Sequence, residues 1–414
     1  MIRLNWLAGA AGGLLLAVPL VAYSAPPPVK APKYVVTEIP RPPRDISGCE
    51  AGFQSVVYAR RMNDQTQAAG YSLCYIATGD PAAPYLPRGS WGFAWTPTSG
   101  SFDLPALTVN PTDSLPREIN ESGFVVGWEF SQAGSLLAPL WTLGGGVSEA
   151  IDSAGNCNPN FSDTRADGIS DDGTIAGLGF RVDASGSCRR TWILKRPSGE
   201  EITGPVGGRP SAINNSELLV GTSAGGAVKW SPALGTVMLL AGAPNTSTFA
   251  WNVNNGGDVV GYTNTFDANF TCVQSGDAYL WRADGTTTIL QGMNDLPVNT
   301  AYGVNDRQQI VGFRQSPVCD SSGRPLGVRA MLWQEGVAYD LNDLIPKKSG
   351  IELNYASSIN NKGEILVRGV RLGEDPKPCP RFDFDPVTGE PIYNDTYMCR
   401  SEYSFLLRPK KDGK

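Results

Sequence analysis

The chain contains no histidine in 414 residues. Ser-His-Asp and Cys-His catalytic machinery is thereby excluded, as are metal and haem sites built on imidazole. No long run of Lys or Arg is present and the formal charge is −6, so the cationic footprint of a phosphate-backbone binder is missing and nucleic acid is not expected as a partner. No C-x-x-C pair, phosphate-cradling glycine loop, Walker sequence or nucleophile elbow occurs. No cofactor and no metal-ligating or catalytic set is expected. The alternating acids Asp383, Asp385 and Glu390 with Gly389 lack the remaining positions of a calcium loop and read as solvated. Past the N-terminus no stretch approaches the ~20 apolar residues that span a bilayer.

What is present begins with export. Arg3 precedes an apolar, glycine-diluted stretch from Leu7 to Val21, and Ala22-Tyr23-Ser24 places small residues at −3 and −1 of a cleavage site before Ala25. This is the pattern of a secretory signal over residues 1–24. A Pro-rich linker at 25–33 and a basic tail at 410–414 flank the expected domain at 34–409. The eight cysteines are Cys49, Cys74, Cys157, Cys188, Cys272, Cys319, Cys379 and Cys399. An even number in an oxidising compartment reads as a disulfide framework. Sequential pairing is expected, Cys49 with Cys74, Cys157 with Cys188, Cys272 with Cys319 and Cys379 with Cys399, because bridged Cα atoms must lie within roughly 7 Å, which limits pairing to the same or adjacent repeats, and Cys272 and Cys319 occupy the equivalent connection of consecutive repeats.

Glycine (48) and proline (32) are both abundant, which suits many short strands joined by turns. Self-alignment finds seven nine-residue segments, starting at Met62, Ile119, Ile169, Ile213, Val253, Val304 and Ile359, spaced 57, 50, 44, 40, 51 and 55 residues apart. That period is one of four-stranded β units. The second position is Asn in six copies and Ser170 in the other, the third is Asp, Glu or Asn, and the ninth is Gly in six and Val367 in the last. Ala stands four residues before the Asn in five copies (Ala59, Ala166, Ala250, Ala301 and Ala356). An Asn beside an acid or amide forms an Asx-type turn, and Gly at the fifth position in four copies supplies positive φ. The asparagines are therefore read as structural rather than as a ligand ring. The ninth-position glycines suggest close backbone approach within a sheet.

A second module, a small residue followed three positions later by a large one, recurs from Gly92 to Trp95, Ala138 to Trp141, Thr191 to Leu194, Ala227 to Trp230, Ala278 to Trp281, Ala330 to Trp333 and Ser404 to Leu407. Its tryptophans are expected to pack between repeats rather than to stack on sugars. The combination I-N-x-x-G-x-V-V-G with small-x-x-Trp, and the stretch Asp340-Leu341-Asn342-Asp343-Leu344-Ile345-Pro346 before the last copy, resemble the HAF-type extracellular repeat proteins of bacteria over Tyr34 to Pro409. The tripeptide that names that family departs from its pattern here, with Trp91, Leu137, Arg190, Gly226, Asp277, Arg329 and Tyr403 at the His position. The resemblance implies export and a propeller-like repeat, with no reaction to carry over.

The expected fold is all-β: a single β-propeller of seven four-stranded blades. Tyr34 to Ile39 reads as an outer strand without its blade, and Tyr403 to Leu407 as a third strand with nothing after it, so the two termini complete one blade and remove open edges. Strand alternation puts the Asn turns and the Trp-hairpin turns on one face and the cysteine-bearing connections on the other. Function is sought in those connections, above all from Arg371 to Glu402. The functional expectation is an exported, monomeric, non-catalytic module binding an extracellular glycan or protein. The alternative is a histidine-free, carboxylate-based glycan-active enzyme, recognisable by a buried pair of acids in one cleft.

Overall fold

A computed structural model describes residues 31–42, 56–77, 85–108, 113–131, 134–152, 155–158, 163–183, 185–242, 246–266, 273–292, 296–319, 325–374, 377–384, 391–399 and 401–410. Residues 1–24, expected to be a signal sequence, Cys49, Cys272 and residues 385–390 of the acidic loop lie outside them. The described chain is all-β, with one 3-10 turn at Leu341–Asp343 and no helix long and apolar enough to cross a membrane.

The strands form antiparallel groups of four in the order of the repeats. Sheet 1 comprises Val57–Met62, Ala68–Ala77, Tyr85–Thr96 and Gly100–Asp103, and sheet 2 Asp113–Ile119, Phe124–Phe130, Leu136–Thr142 and Val147–Ile151. A single parallel bridge, Ser90 to Asp113, joins these two. Sheet 3 is built from Arg165–Ile169, Ile175–Val182, Cys188–Lys195 and Glu201–Val206, and sheet 4 from Arg209–Ile213, Leu219–Ser223, Gly226–Ser231 and Gly235–Ala241. Sheet 5 takes Thr246–Val253, Val259–Phe266, Ala278–Trp281 and Thr287–Leu290, with Val273–Ser275 added beside its second strand. Sheet 6 takes Val298–Val304, Ile310–Gln315, Arg329–Gln334 and Val337–Asp340. Sheet 7 takes Ile351–Ile359, Ile365–Arg371 and Glu402–Pro409 from the end of the chain, and Tyr34–Ile39 from its beginning. The two termini pair in register from Tyr34 with Pro409 to Ile39 with Ser404. Lys377–Phe384 and Pro391–Cys399 make a separate hairpin within the insertion of sheet 7.

Seven apolar clusters fill the spaces between consecutive sheets, including one between sheets 7 and 1 that holds Ile39, Leu366 and Leu406 with Val57, Phe93 and Trp95. The small-x-x-Trp tryptophans sit in these clusters as expected: Trp141 packs on Ala69 and Ala94 of sheet 1, and Trp281 on Ala212 and Val220 of sheet 4. Two of the indoles also donate across the gap, Trp141 Nε1 to the Pro105 carbonyl at 2.7 Å and Trp333 Nε1 to that of Gln291 at 2.9 Å. Each such ring removes well over a hundred square ångströms of apolar surface from water. The tryptophan row is therefore a packing device.

The ninth-position glycines show why no side chain is tolerated. A Cβ on Gly70, Gly127, Gly177, Gly221, Gly261 or Gly312 would lie 1.9 to 2.3 Å from a carbonyl oxygen of the first strand of its own sheet. In sheet 7 the first strand carries an extra register shift between Leu353 and Tyr355. Gly369, opposite Leu353, takes over the close approach there, with the Glu352 carbonyl 2.3 Å from its virtual Cβ, and Val367 is accommodated at the usual glycine position.

Candidate functional site

The first strands of the seven sheets neighbour one another in cyclic order, the last against the first. Two rings of residues result, one at the turns and one inside. At the turns, each Asn Oδ1 accepts from the backbone N–H four residues on, at 2.8 to 3.0 Å, as in Gln67 to Asn63 and Asp258 to Asn254. These are the Asx-type turns expected. Each Asn Nδ2 then donates to the carbonyl of the equivalent residue in the next sheet: Asn63 to Asn120, Asn120 to Ser170, Asn214 to Asn254, Asn254 to Asn305, Asn305 to Asn360 and Asn360 back to Asn63, at 2.9 to 3.2 Å. Ser170 has no amide and breaks the series once. One residue further, the cycle is complete: the backbone N–H groups of Asp64, Glu121, Asp171, Asn215, Asn255, Asp306 and Asn361 each donate to the side chain of the next, at 2.5 to 3.1 Å.

The fourth turn residue has positive φ in every sheet, between 57° and 90°. Gly123, Gly173, Gly257 and Gly363 meet this need freely, whereas Thr66, Glu217 and Gln308 adopt it with a side chain. The Trp-hairpin turns lie on the same face, since Leu143 N–H donates to the Gly123 carbonyl and Ala283 N–H to Asp258 Oδ1.

Three residues before each rim Asn or Ser, the first strand bulges. The register shifts fall between Ala59 and Arg61, Pro116 and Glu118, Ala166 and Gly168, Pro210 and Ala212, Ala250 and Asn252, Ala301 and Gly303, and Ala356 and Ser358. A bulge inserts one unpaired residue and re-aims its side chain. The inserted residues are Arg60, Arg117, Asp167, Ser211, Trp251, Tyr302 and Ser357, a ring of one geometry and mixed chemistry.

Four of the seven line a cavity of about 180 Å³: Arg60, Trp251, Tyr302 and Ser357, together with Tyr58, Arg61, Tyr71 and Arg368. One side is aromatic. Centroid separations run Trp251 to Tyr302 5.1 Å, Tyr302 to Phe313 5.4 Å and Phe313 to Tyr355 4.8 Å, and Arg368 then lies 4.5 Å from both the Tyr355 and Tyr58 rings. Burial raises the pKa of Tyr302, opposed by Arg368 and Arg60, and raises that of Tyr262 well above the usual phenol range. Both phenols stay protonated at neutral pH.

The other side is charged. Burial lowers the pKa of Arg60, with Tyr71 opposing and Arg61 adding to it. It lowers that of Arg117 further, with Arg60 contributing and Asp167 opposing. Arg61 is committed to the scaffold, donating to the carbonyls of Tyr302 and Ser357 at 3.2 and 3.0 Å and pairing with Glu118 at 3.2 Å. Arg368 loses to burial but is raised on balance by Glu402, 3.1 Å away, and by Tyr58 and Tyr355. Two carboxyls stand behind these arginines on adjacent sheets, neither of them among the residues that line the cavity. Glu118 has a raised pKa because burial outweighs Arg61, and Asp167, 2% exposed, pairs with Arg117 at 3.6 Å while accepting no hydrogen bond from a described donor.

Among the described residues no group of three or more Cys, Asp and Glu is placed to hold a metal. The disulfide Cys157–Cys188 is present, with Cα atoms 5.7 Å apart, and Cys319 is also disulfide-bonded. Cys74, Cys379 and Cys399 fall in strands, and their pairings, like those of Cys49 and Cys272, lie outside what is described. The bulge ring escaped the sequence reading, although each of its members directly follows the Ala or Pro that precedes the rim residue by four. The expectation that function sits in the long connections, especially Arg371 to Glu402, differs from this inner placement.

No family model and no curated protein matches the chain. Solved structures similar to it include Pyrococcus horikoshii acylaminoacyl peptidase, at 13% identity and TM-score 0.36 over 86% of this chain and 52% of that one. A puromycin hydrolase mutant matches at 10% identity and TM-score 0.38, over 84% and 58%. A triple arginine-to-alanine mutant of AofleA from Arthrobotrys oligospora matches at 12% and 0.34, over 87% and 91%. The chain spans about half the length of the peptidase. Likeness at this distance carries no reaction across. The expectation of a non-catalytic binding module is nevertheless corrected on this finding: two of these neighbours are named as a peptidase and a hydrolase.

Proposed function

We propose that the seven sheets are blades of one β-propeller closed by Tyr34–Ile39, and that its central cavity, together with the acids behind its arginines, is the working site of a histidine-free, carboxylate-based, glycan-active enzyme. The observation that carries the catalytic part is the pair Glu118 and Asp167. Asp167 is the bulge residue of sheet 3 and Glu118 directly follows that of sheet 2; each is held on an arginine, and burial pushes the Glu118 pKa upward. Two acids whose environments differ in this way divide the labour of glycosidic cleavage. Glu118, whose pKa burial raises, serves as general acid to the leaving oxygen. Asp167, ion-paired with Arg117 and with its oxygens otherwise unspent, serves as base or nucleophile. The tyrosines, held protonated, donate and stack but do not abstract protons. Export with removal of residues 1–24 belongs to the same reading, supported by the N-terminal pattern and by the Cys157–Cys188 disulfide.

The test is release of reducing ends from a panel of neutral and acidic polysaccharides. Glu118→Gln and Asp167→Asn are each expected to lower the rate by about 100-fold or more. Unchanged rates in both variants, or no cleavage by the parent chain, would sink the catalytic reading. A pH profile sharpens it. Activity needs protonated Glu118 and so declines as pH rises through its raised pKa. Arg61→Gln removes a cation that lowers that pKa, so the alkaline limb moves to higher pH. A limb that stays put or moves down speaks against Glu118 as the acid.

A further inference from the structure

We infer that the cavity selects an acidic saccharide, a uronate unit whose carboxylate is taken by Arg60 while its ring lies on the Trp251 and Tyr302 faces. The inference rests on the cavity being the working site proposed above, and adds the substrate class.

Arg60 is the deciding residue. Arg61 spends its guanidinium on two carbonyls and Glu118, and Arg368 is fixed by Glu402 and two tyrosine rings. Arg60 has no hydrogen bond or ion pair among the described residues, although burial lowers its pKa and it lines the cavity. An enclosed guanidinium without a counter-ion is costly, and a carboxylate satisfies its planar fork with two parallel bonds. The surroundings add to this. Three guanidinium groups, those of Arg60, Arg61 and Arg368, line the cavity and no carboxyl is among its lining residues, in a chain whose net charge is −6. Anion affinity is therefore local to this site rather than a property of the whole surface.

Size and shape narrow the ligand. A cavity of about 150 Å³ holds a benzene ring, so 180 Å³ matches one six-membered ring with its substituents. The Trp251 and Tyr302 rings, 5.1 Å apart, offer apolar faces beside the charge. Such a pocket, aromatic with few convergent polar groups, orients a ring by its one charged substituent.

The experiment is isothermal titration of trigalacturonate, galactotriose and inorganic phosphate into the Glu118→Gln chain, which removes turnover from the measurement. Trigalacturonate is expected to bind at least about tenfold more tightly than either of the others, a difference of roughly 1.4 kcal/mol. Adding Arg60→Gln is expected to abolish that preference, whereas Arg60→Lys, which keeps the charge, retains part of it, with thermal melts of each variant confirming the fold. Equal binding of galactotriose overturns the charge selection, and equal binding of phosphate overturns the saccharide assignment. A preference that survives Arg60→Gln overturns the role of Arg60. Acid-selective binding without cleavage by the parent chain leaves this inference standing and removes the enzymatic reading; cleavage of neutral chains with no acid preference does the reverse.

Discussion

Three residues along each first strand separate two rings that follow opposite rules. At the rim the side chains are nearly the same in every sheet, Asn in six of seven, and are bonded to one another from Asn63 round to Asn360. At the bulges the backbone geometry repeats while the side chains run Arg60, Arg117, Asp167, Ser211, Trp251, Tyr302 and Ser357. Repetition marks what every sheet needs in order to meet its neighbour. Variation at a repeated geometry marks positions released from that need, and there the charged and aromatic groups collect. The bulge links the two roles, because the extra residue it ejects leaves the flanking pairs in register.

The comparison breaks most visibly on the side of repetition. Gly312→Val is expected to destabilise the fold by about 3 kcal/mol or more, since its Cβ would stand 1.9 Å from the Thr300 carbonyl oxygen and backbone must move. Urea unfolding measures this. A loss below about 1 kcal/mol would show that the close approach is not a constraint.

The closing strand belongs with the rim as scaffold, and its Tyr34 supplies a pH test. Burial pushes the Tyr34 pKa from 10.0 up to about 12, with Arg307 opposing. A group whose folded pKa is raised stabilises fully below its unfolded value and loses that contribution as pH climbs through the folded one. Stability is therefore expected to fall between pH 10 and about 12, by up to roughly 3 kcal/mol. Absorbance of tyrosinate against pH, compared with Tyr34→Phe, tests this; coincident curves would place Tyr34 in solvent.

Much of this was legible in the sequence, for reasons that particular residues make plain. The Asx turns, the six glycines, the tryptophan packing and the Cys157–Cys188 bond each depend on residue types whose chemistry permits few roles. The pairing of Tyr34–Ile39 with Ser404–Pro409 followed from two incomplete ends. The bulge ring stayed hidden because a period-two reading assigns every residue to one of two faces and leaves no place for an inserted one. Positive φ at Thr66, Glu217 and Gln308 was hidden too, since no glycine announces it. Val367 gave no sign that Gly369 replaces its function, a matter of register alone.

A small effect follows from those unannounced turns. Gln308→Gly relieves a left-handed backbone costing about 1 kcal/mol but gives up the 2.7 Å bond from Gln308 Nε2 to Asp258 Oδ2. The net change is expected to be a gain of a few tenths of a kcal/mol in urea unfolding. A clear loss would rank the rim's side-chain bond above its backbone strain.

The division between the two rings is tested most directly by calorimetric melting of two variants, each scanned with and without saturating trigalacturonate. Asn305→Ala loses its donations to the Asn360 carbonyl and to Gln309 Oε1; it is expected to melt lower, by about 1 to 3 kcal/mol in stability, and to keep the ligand-induced rise. Trp251→Ala is expected to melt close to the parent chain and to lose that rise. The opposite pattern, a rim variant that fails to respond to ligand and a bulge variant that responds normally, would contradict the assignment of scaffold to the repeated ring and function to the varied one.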